Sequence, residues 1–149
     1  MQLTAAQRDA VLADMIAAGK AFDPVAVFVG VYTAIADHGL NTVIGDLTPP
    51  PTSVAVRQAI TAWSAVHELL NGCAVVDGPA MSFSPASSAD ATVVTGWYLA
   101  SAISAGTLLG YGYFPSPVAL PDQFSQAGIV VRLTLDPNGQ WDANVYFDG

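Results

Sequence analysis

The chain has 149 residues, of which 52% are apolar and 11% charged, and four Lys and Arg against twelve Asp and Glu give a formal net charge of −8. A chain this apolar can bury enough surface to fold, so its composition excludes intrinsic disorder and its length predicts one domain. The four basic residues are scattered, which argues against nucleic acid as a partner because phosphate contacts need clustered cations. With so little charge to cover its surface, the chain is expected to form a sizeable subunit interface.

Polar or turn residues interrupt every apolar stretch well before the roughly 18–20 residues that a membrane-spanning helix needs. The first nine residues also lack the basic segment and apolar run that are typical of a secretion signal. The sequence therefore predicts neither a membrane partner nor export by a standard signal. Cys73 is the single cysteine, so we expect no internal disulfide and interpret this residue as a small buried apolar side chain.

The chain begins with the pattern of an amphipathic helix over residues 3–19. Thr4 and Gln7 have the spacing of a capping box, and apolar residues recur every three or four positions after them. Gly19 is well placed to end the helix. The helix defines an N-terminal segment, residues 1–22, whose apolar face is expected to pack on the core or to dock on a neighbouring subunit.

After Pro24 the pattern changes to that of strands. Residues 25–32 are uniformly apolar and rich in β-branched side chains, which predicts a buried strand. Residues 36–53 contain three consecutive prolines and are predicted to be a long, partly stiffened loop. The next segment, residues 54–70, fits both a helical face and strand alternation, and we favour a strand over residues 58–70.

The remaining chain has the pattern of short strands separated by turn residues. Further strands are predicted at residues 81–84, 92–100, 107–114, 129–135 and 141–147. The second and third of these are expected to form a hairpin, followed by a loop at Pro115-Ser116-Pro117. The last two are joined by Asp136-Pro137-Asn138-Gly139, a sequence that favours a tight hairpin turn.

About seven short strands and one leading helix indicate a mainly β fold. We predict an antiparallel β-sandwich or small barrel with one N-terminal α-helix. Residues 23–149 form the β domain in this interpretation, and the N-terminal segment packs with it, so that the chain is a single domain overall.

The sequence carries no recognisable catalytic or phosphate-binding motif. Its histidine–carboxylate neighbours are Asp37-His38 and His67-Glu68. Adjacent residues of a strand point to opposite sides of the sheet, so neither pair can by itself hold a metal ion, and structural histidines are expected. We predict no catalytic residue and no cofactor.

Acidic residues in predicted loops are the remaining candidates for a metal site. Asp46, Asp77, Asp122 and Asp136 could bind calcium only if several of them converged, and no run with the spacing of a calcium-binding loop is present. A paired-carboxylate site for glycoside hydrolysis is the enzymatic alternative. Because the acids adjoin turns and termini for the most part, a solvated surface is the favoured interpretation, with no metal.

Aromatic residues cluster on the predicted hairpin. One strand carries Trp97 and Tyr98, and the other carries Tyr111, Tyr113 and Phe114, so these side chains can pair across it. Core packing is the favoured interpretation. An exposed aromatic strip for sugar stacking or for a subunit contact is the alternative.

The order of motifs over residues 92–135 resembles a known group of proteins. A strand with the run Gly96-Trp97-Tyr98-Leu99 precedes the glycine- and tyrosine-rich strand 107–114, a Pro-x-x-Leu segment at 117–120 and a final alternating strand. Together with segments 41–49 and 81–85 upstream, this order resembles small virion proteins of tailed bacteriophages. That group includes head decoration or cement proteins as well as tail- or fibre-associated proteins.

The resemblance implies a non-enzymatic β-sandwich that oligomerises, often as a trimer, on a capsid lattice. Its expected partner is the major capsid protein, its expected location is the capsid exterior, and its synthesis would take place in the host cytoplasm. No individual functional residue carries over, because the shared pattern is one of strands and turns. The three consecutive prolines and the length of chain after Asn138 depart from the pattern.

Two alternatives to a capsid decoration protein belong to other functional classes. One is a carbohydrate- or receptor-binding β-sandwich module of a phage tail or fibre, or of a bacterial surface. Exposure of Trp63, Trp97 or Trp141 beside loop acids would favour it. The other is an enzyme with an acid pair, which a buried carboxyl of raised pKa would favour.

Overall fold

Two antiparallel sheets that share an apolar core make up the protein in this computed structural model. The structure describes residues 2–3, 27–61, 64, 67–68, 74–135 and 141–147. The strands are β1 (Gln2–Leu3), β2 (Phe28–Tyr32), β3 (Ala34–Ile35), β4 (Leu47–Thr48), β5 (Gln58–Ala59), β6 (His67–Glu68), β7 (Ala74–Asp77), β8 (Met81–Phe83), β9 (Thr92–Ala100), β10 (Leu108–Leu120), β11 (Ala127–Leu135) and β12 (Trp141–Phe147). One helical turn, α1 (Thr52–Ala55), and 3-10 turns at Gly39–Asn41, Ile44–Asp46 and Ser88–Asp90 connect them.

The first sheet has the strand order β1-β10-β9-β2-β5, and the second has the order β12-β11-β7-β6. Strands β7 and β8 both pair with β11, one after the other along its length. All of these pairings are antiparallel. The mainly β, antiparallel fold predicted from the sequence is therefore confirmed, with more strands than the seven expected, several of them only two residues long.

The core lies between the two sheets. Trp97 of β9 and Leu120 of β10 meet Ile129 and Val131 of β11 there, and each of the four is at most 1% exposed. Burial of this apolar surface is the main favourable contribution to folding. The sandwich is also closed at one edge, where the rings of Phe114 and Phe147 lie 5.3 Å apart between β10 and β12.

A second, smaller cluster covers the outer face of the first sheet. Its buried side chains are Tyr32, Leu47, Tyr98, Ala100, Leu108 and Tyr111, with Ile35 and Ile44 packed against them. Segment 33–48, which contains the β3–β4 ladder, supplies the cover. The first sheet is thus buried on both faces, which explains why β2 is uniformly apolar rather than alternating.

Several predicted elements match the structure closely. Strands β9 and β12 have the predicted bounds, and β9 pairs with β10 as the predicted hairpin. β11 pairs with β12 with Leu135 opposite Trp141, while the turn between them, residues 136–140, lies outside the described residues. Cys73 lies outside them as well.

The predicted loop at Pro115-Ser116-Pro117 is wrong, because β10 continues through it to Leu120. The pairing between β9 and β10 shifts register between Tyr113 and Val118. Proline cannot donate a hydrogen bond to a neighbouring strand, but a bulge leaves residues unpaired and so accommodates it. The prolines mark an irregularity within one long strand rather than its end.

The continuous strand predicted over residues 58–70 is also wrong. Strand β5 belongs to the first sheet and β6 to the second, so the chain changes sheets between them. Ile60 directly follows β5, donates its backbone N–H to the carbonyl of Val27 (2.9 Å) and turns its side chain into the core. By Ser64 the chain has reached the second sheet, where the Ser64 backbone N–H donates to the carbonyl of Asp77 (2.7 Å).

The predicted N-terminal helix over residues 3–19 is wrong at its first position, because Leu3 lies in β1 and pairs with Gly110. The rest of that prediction falls on residues 4–26, outside the described part of the chain. The long loop predicted over residues 36–53 contains two 3-10 turns, β4 and the start of α1, and its larger part packs on the first sheet.

Candidate binding surfaces

Close packing of aromatic rings on glycines fixes the hairpin of the first sheet. Trp97 lies opposite Gly112 in the ladder, and a Cβ atom on this glycine would lie 2.9 Å from Cζ2 of the tryptophan. Similarly, a Cβ on Gly30 would overlap the ring of Tyr98 on the next strand. At both positions an aromatic ring of the neighbouring strand occupies the space that a side chain on the glycine would fill.

The aromatic residues of the hairpin divide between core and surface. Trp97 and Phe114 face the space between the sheets, while Tyr98 and Tyr111 are buried under segment 33–48. Tyr113 is 57% exposed. Core packing thus accounts for most of this group, and Trp97 is unavailable for sugar stacking. Trp63 and the side chain of Trp141 lie outside the described part of the structure.

Tyr111 and Asp37 anchor the covering segment to the first sheet. The hydroxyl of Tyr111 donates to Oδ1 of Asp37 at 2.5 Å, and the backbone N–H of Gly39 donates to the same oxygen at 2.8 Å. These two hydrogen bonds, that from Tyr111 first, hold the pKa of Asp37 below its ordinary value. Burial, followed by the hydrogen bond to Asp37, raises the pKa of Tyr111. The pair serves to hold the fold together, since the phenol keeps its proton and the carboxyl keeps its charge.

The histidine of the Asp37-His38 pair has a different partner. Nε2 of His38 lies 3.5 Å from Oδ1 of Asp46, and the imidazole is largely exposed. Asp37 and His38 therefore do not act on one ligand. For the other pair, His67-Glu68, both residues belong to β6, and their side chains lie outside the described part of the structure.

The loop acids named as calcium candidates do not converge where they are described. Asp46 accepts from the N–H of Val43 at 2.9 Å, Asp77 pairs with Arg132, and Asp122 accepts from the N–H of Phe124. Across the described residues no group of three or more His, Cys, Asp or Glu could hold a metal ion. Asp136 is outside this part of the chain.

Arg57 braces the tip of the β9–β10 hairpin. Its Nε donates to the hydroxyl of Tyr98 at 3.0 Å, and its Nη1 donates to the carbonyls of Ala102 and Ala105 at 2.7 and 2.8 Å. The guanidinium also lies over the Tyr98 ring, 5.5 Å from its centroid. Ile103, between the two braced carbonyls, is 62% exposed. The brace therefore presents an aliphatic side chain to solvent on an ordered turn.

A second braced turn lies at the opposite end of the first sheet, between β10 and β11. Oδ1 of Asp122 accepts from the N–H of Phe124 at 2.9 Å, and the hydroxyl of Ser125 donates to the carbonyl of Asp122 at 2.7 Å. Ser84 ties the turn to the body of the protein by donating to the carbonyl of Ser125 at 2.7 Å. Phe124 stands at the tip with 88% of its surface exposed.

The outer face of the second sheet carries a depression of about 400 Å³. Arg132, Asn144, Val145 and Tyr146 line it. Arg132 is fixed by a two-pronged ion pair, in which Nε and Nη2 donate to the two carboxylate oxygens of Asp77 at 2.8 and 3.1 Å. Its guanidinium lies 5.3 Å from the centroid of the Tyr146 ring. The depression therefore offers an aromatic ring, an amide and a preoriented guanidinium.

Sequence reasoning missed both the phenylalanine turn and the depression. The turn had a local signal, because Asp and Ser three positions apart, at Asp122 and Ser125, are typical of a hydrogen-bonded turn. The depression had none, since it depends on the register that places Arg132 opposite both Asp77 and Asn144.

Comparisons with known proteins leave the function open. No protein-family model matches the sequence, and no curated protein matches it. In the part of the chain that the structure describes, no helix is long and apolar enough to cross a membrane.

Proposed function

We propose that the chain is a non-enzymatic structural protein of a phage virion, a decoration protein that binds the capsid exterior as a homo-oligomer, with a trimer favoured. The observation that carries the proposal is the braced turn that presents Phe124. A large ring on a rigid tip loses little conformational entropy when a partner buries it, which is the property of an interface anchor. Ile103, on its own braced turn, is a second side chain of this kind.

Charge and composition support the same function. A formal net charge of −8 disfavours nonspecific aggregation and favours a basic patch on the partner. The low charged fraction, 11%, suits a subunit that buries part of its surface in an assembly. A protein that binds only the assembled lattice stabilises that lattice by mass action.

The direct test is the protein content of purified particles. Virions of the phage whose genome encodes the chain are purified by density gradient, and the chain is quantified by mass spectrometry against the major capsid protein. A decoration protein is expected at a fixed ratio of the order of one copy per capsid subunit. Absence from purified virions would refute the proposal.

A second step separates head from tail. Empty heads from a mutant that makes no tails are incubated with the purified chain and then heated, and capsid opening is followed by light scattering. Heads that carry the chain should open at a higher temperature than bare heads. Binding to tails alone would favour a tail or fibre protein instead.

A carbohydrate-binding module is the second candidate, and the depression of the second sheet favours it. Tyr146 is 42% exposed beside Arg132 and Asn144, and sugar sites commonly combine such a ring with planar polar groups. A glycan screen with wild-type protein and with Tyr146→Ala tests this candidate. Binding that the substitution abolishes would support it, whereas an empty screen would count against it.

A further inference from the structure

Strand β12 lies at one edge of the second sheet, and no strand in the described part of the chain pairs with its outer side. On the inner side it pairs with β11 along all seven of its residues. Strand β1 lies close to β12 but pairs with β10. An edge strand of this length offers a row of backbone donors and acceptors to which another strand can add. Such an edge needs protection whatever the protein binds.

The register of the second sheet shows which backbone groups of β12 point outward. The carbonyl of Val131 accepts from the backbone N–H that directly follows β7 (2.8 Å), so Val131 turns its backbone groups toward β7. Because this direction alternates along a strand, the next residue, Arg132, turns its own groups toward β12, where it lies opposite Asn144. Asn144 therefore bonds to β11, and its neighbours Ala143 and Val145 point their N–H and C=O groups away from the sheet.

Both of these outward N–H groups donate to the side chain of the residue before them. The N–H of Ala143 donates to Oδ1 of Asp142, and that of Val145 donates to Oδ1 of Asn144, each at 2.9 Å. The two capping side chains are exposed and lean over the open edge. An added strand would need the same N–H groups as donors, and local side-chain acceptors compete with it for them. Both donors at the centre of the edge are thus already occupied.

Other strand edges carry obstacles of a different kind. Beyond its pairing with β1, strand β10 contains Pro115 and Pro117, which have no N–H to donate. In β8, the carbonyl of Ser82 accepts from Nε2 of Gln58 at 2.5 Å. At each of these edges the chain itself removes a donor or occupies an acceptor, so the caps on β12 fit a pattern shared by both sheets.

We propose that Asp142 and Asn144 keep the open edge of β12 from pairing with β12 of a second copy. Two copies of one edge strand can pair antiparallel about a two-fold axis, a contact that needs no partner other than the chain itself. The caps oppose it because their hydrogen bonds must break first. The Asp142 carboxylates of the two copies would also be brought to one seam, where like charges repel. Contacts with partners are then left to the turns and sheet faces.

The test uses the purified full-length chain and removes both acceptors. The double variant Asp142→Val/Asn144→Val puts strand-forming side chains without oxygen atoms at the two positions. Asp142→Asn is the first control, because it removes the charge and keeps the acceptor. Thr134→Val is the second, because it adds an apolar side chain opposite Asp142 on β11, a strand that is paired on both sides.

Molar mass is measured by light scattering across a concentration range, and exchange of the Ala143 and Val145 amides is followed by NMR in the same samples. The double variant should form a larger species than wild type, of twice the mass where wild type is monomeric. As that species forms, the two amides should exchange about tenfold or more slowly. Both controls should keep the mass and exchange rates of wild type. A double variant with the mass of wild type would overturn the proposal, as would wild-type amides that gain protection with concentration.

Folding and association through the new valines are separated from edge pairing. Thermal melts of the dilute double variant should match those of wild type, because both substituted positions are exposed. If the double variant melts early, Asp142→Ala/Asn144→Ala replaces it, since this variant lacks the same acceptors. Association that leaves the Ala143 and Val145 amides unprotected would show that the added side chains attract each other, and it would refute a role of the caps in edge pairing.

Discussion

The hydroxyl of Tyr111 donates to Oδ1 of Asp37 across a separation of 74 positions in the chain. This bond joins the first part of β10 to the segment that covers the outer face of the first sheet. The backbone of Gly39 completes the attachment on the same carboxylate. The carboxylate therefore adds a polar attachment to the apolar packing of Leu47, Ile35 and Ile44, which also holds segment 33–48 on the sheet.

Tyr111→Phe removes the hydroxyl and keeps the ring. The Asp37 carboxylate loses its shortest hydrogen bond, and we expect a loss of about 1–2 kcal/mol in the free energy of unfolding, measured by urea denaturation. The control is the same Tyr111→Phe substitution in an Asp37→Asn background, where the charged acceptor is absent and the substitution should cost clearly less. Equal losses in the two backgrounds would show that the Tyr111–Asp37 bond contributes nothing particular.

The same pair gives the protein a defined acid dependence. The pKa of Asp37 is lower in the folded protein than its ordinary value of 3.8, mainly because Tyr111 donates to the charged form. A lowered folded pKa contributes stability that is fully present above pH 3.8 and is lost as pH falls through the folded value. The melting temperatures of wild type and Asp37→Asn should therefore differ at pH 6 and converge as the pH falls below 3.8. A constant difference over that range would contradict the assignment.

Trp97 contributes through packing. It is 1% exposed between the sheets, and Trp97→Ala is expected to cost about 3–5 kcal/mol of stability because it leaves a large cavity. Chemical denaturation measures this loss, with Phe124→Ala as the exposed aromatic control because Phe124 is 88% exposed. A loss below about 1 kcal/mol would mean that the surroundings collapse into the space.

We expect the loss of the Arg57 side chain to destabilise the tip of the β9–β10 hairpin more than the sheet itself. Arg57→Met keeps much of the aliphatic stem but removes the donors to Ala102 and Ala105. Hydrogen exchange of the Ser101 and Thr107 amides should then become at least severalfold faster, while amides in the middle of β9 keep their protection. An unchanged exchange rate at the tip would show that the turn stays ordered without the hydrogen bonds from Arg57.

Sequence patterns predicted strands best where the determinants are local. Strands β9 and β12 have alternating or turn-bounded sequences, and their bounds were predicted from these alone. The continuation of β10 through its prolines was missed because a bulge, which depends on the partner strand, accommodates them. The chain's change of sheet after β5 was missed for a similar reason, since it depends on the pairing of β5 with β2 and of β6 with β7.

The two candidate surfaces also differ in whether their determinants are local in the sequence. The phenylalanine turn could have been predicted from the spacing of Asp122 and Ser125, because both partners lie within four residues. The ion pair of Arg132 with Asp77 spans 55 positions and depends on the register of β7 against β11. No pattern along the chain encodes that register, so the depression beside Tyr146 became visible only in the folded protein.

Substitution of Gly112 tests the packing of the Trp97 ring on this glycine, and Gly45 provides a control position. Gly112→Ala places a Cβ atom 2.9 Å from Cζ2 of Trp97, so that this ring, which is 1% exposed, or its surroundings must shift. Overpacking of this kind is expected to cost about 1–3 kcal/mol, although alanine alone favours the ordered chain over glycine. Gly45→Ala is the control, since no atom lies within 4 Å of its added Cβ, and its stability should stay within about 0.5 kcal/mol of wild type. Near-ultraviolet circular dichroism of the tryptophans should change for Gly112→Ala alone, and equal stabilities of the two variants would show that Trp97 shifts without cost.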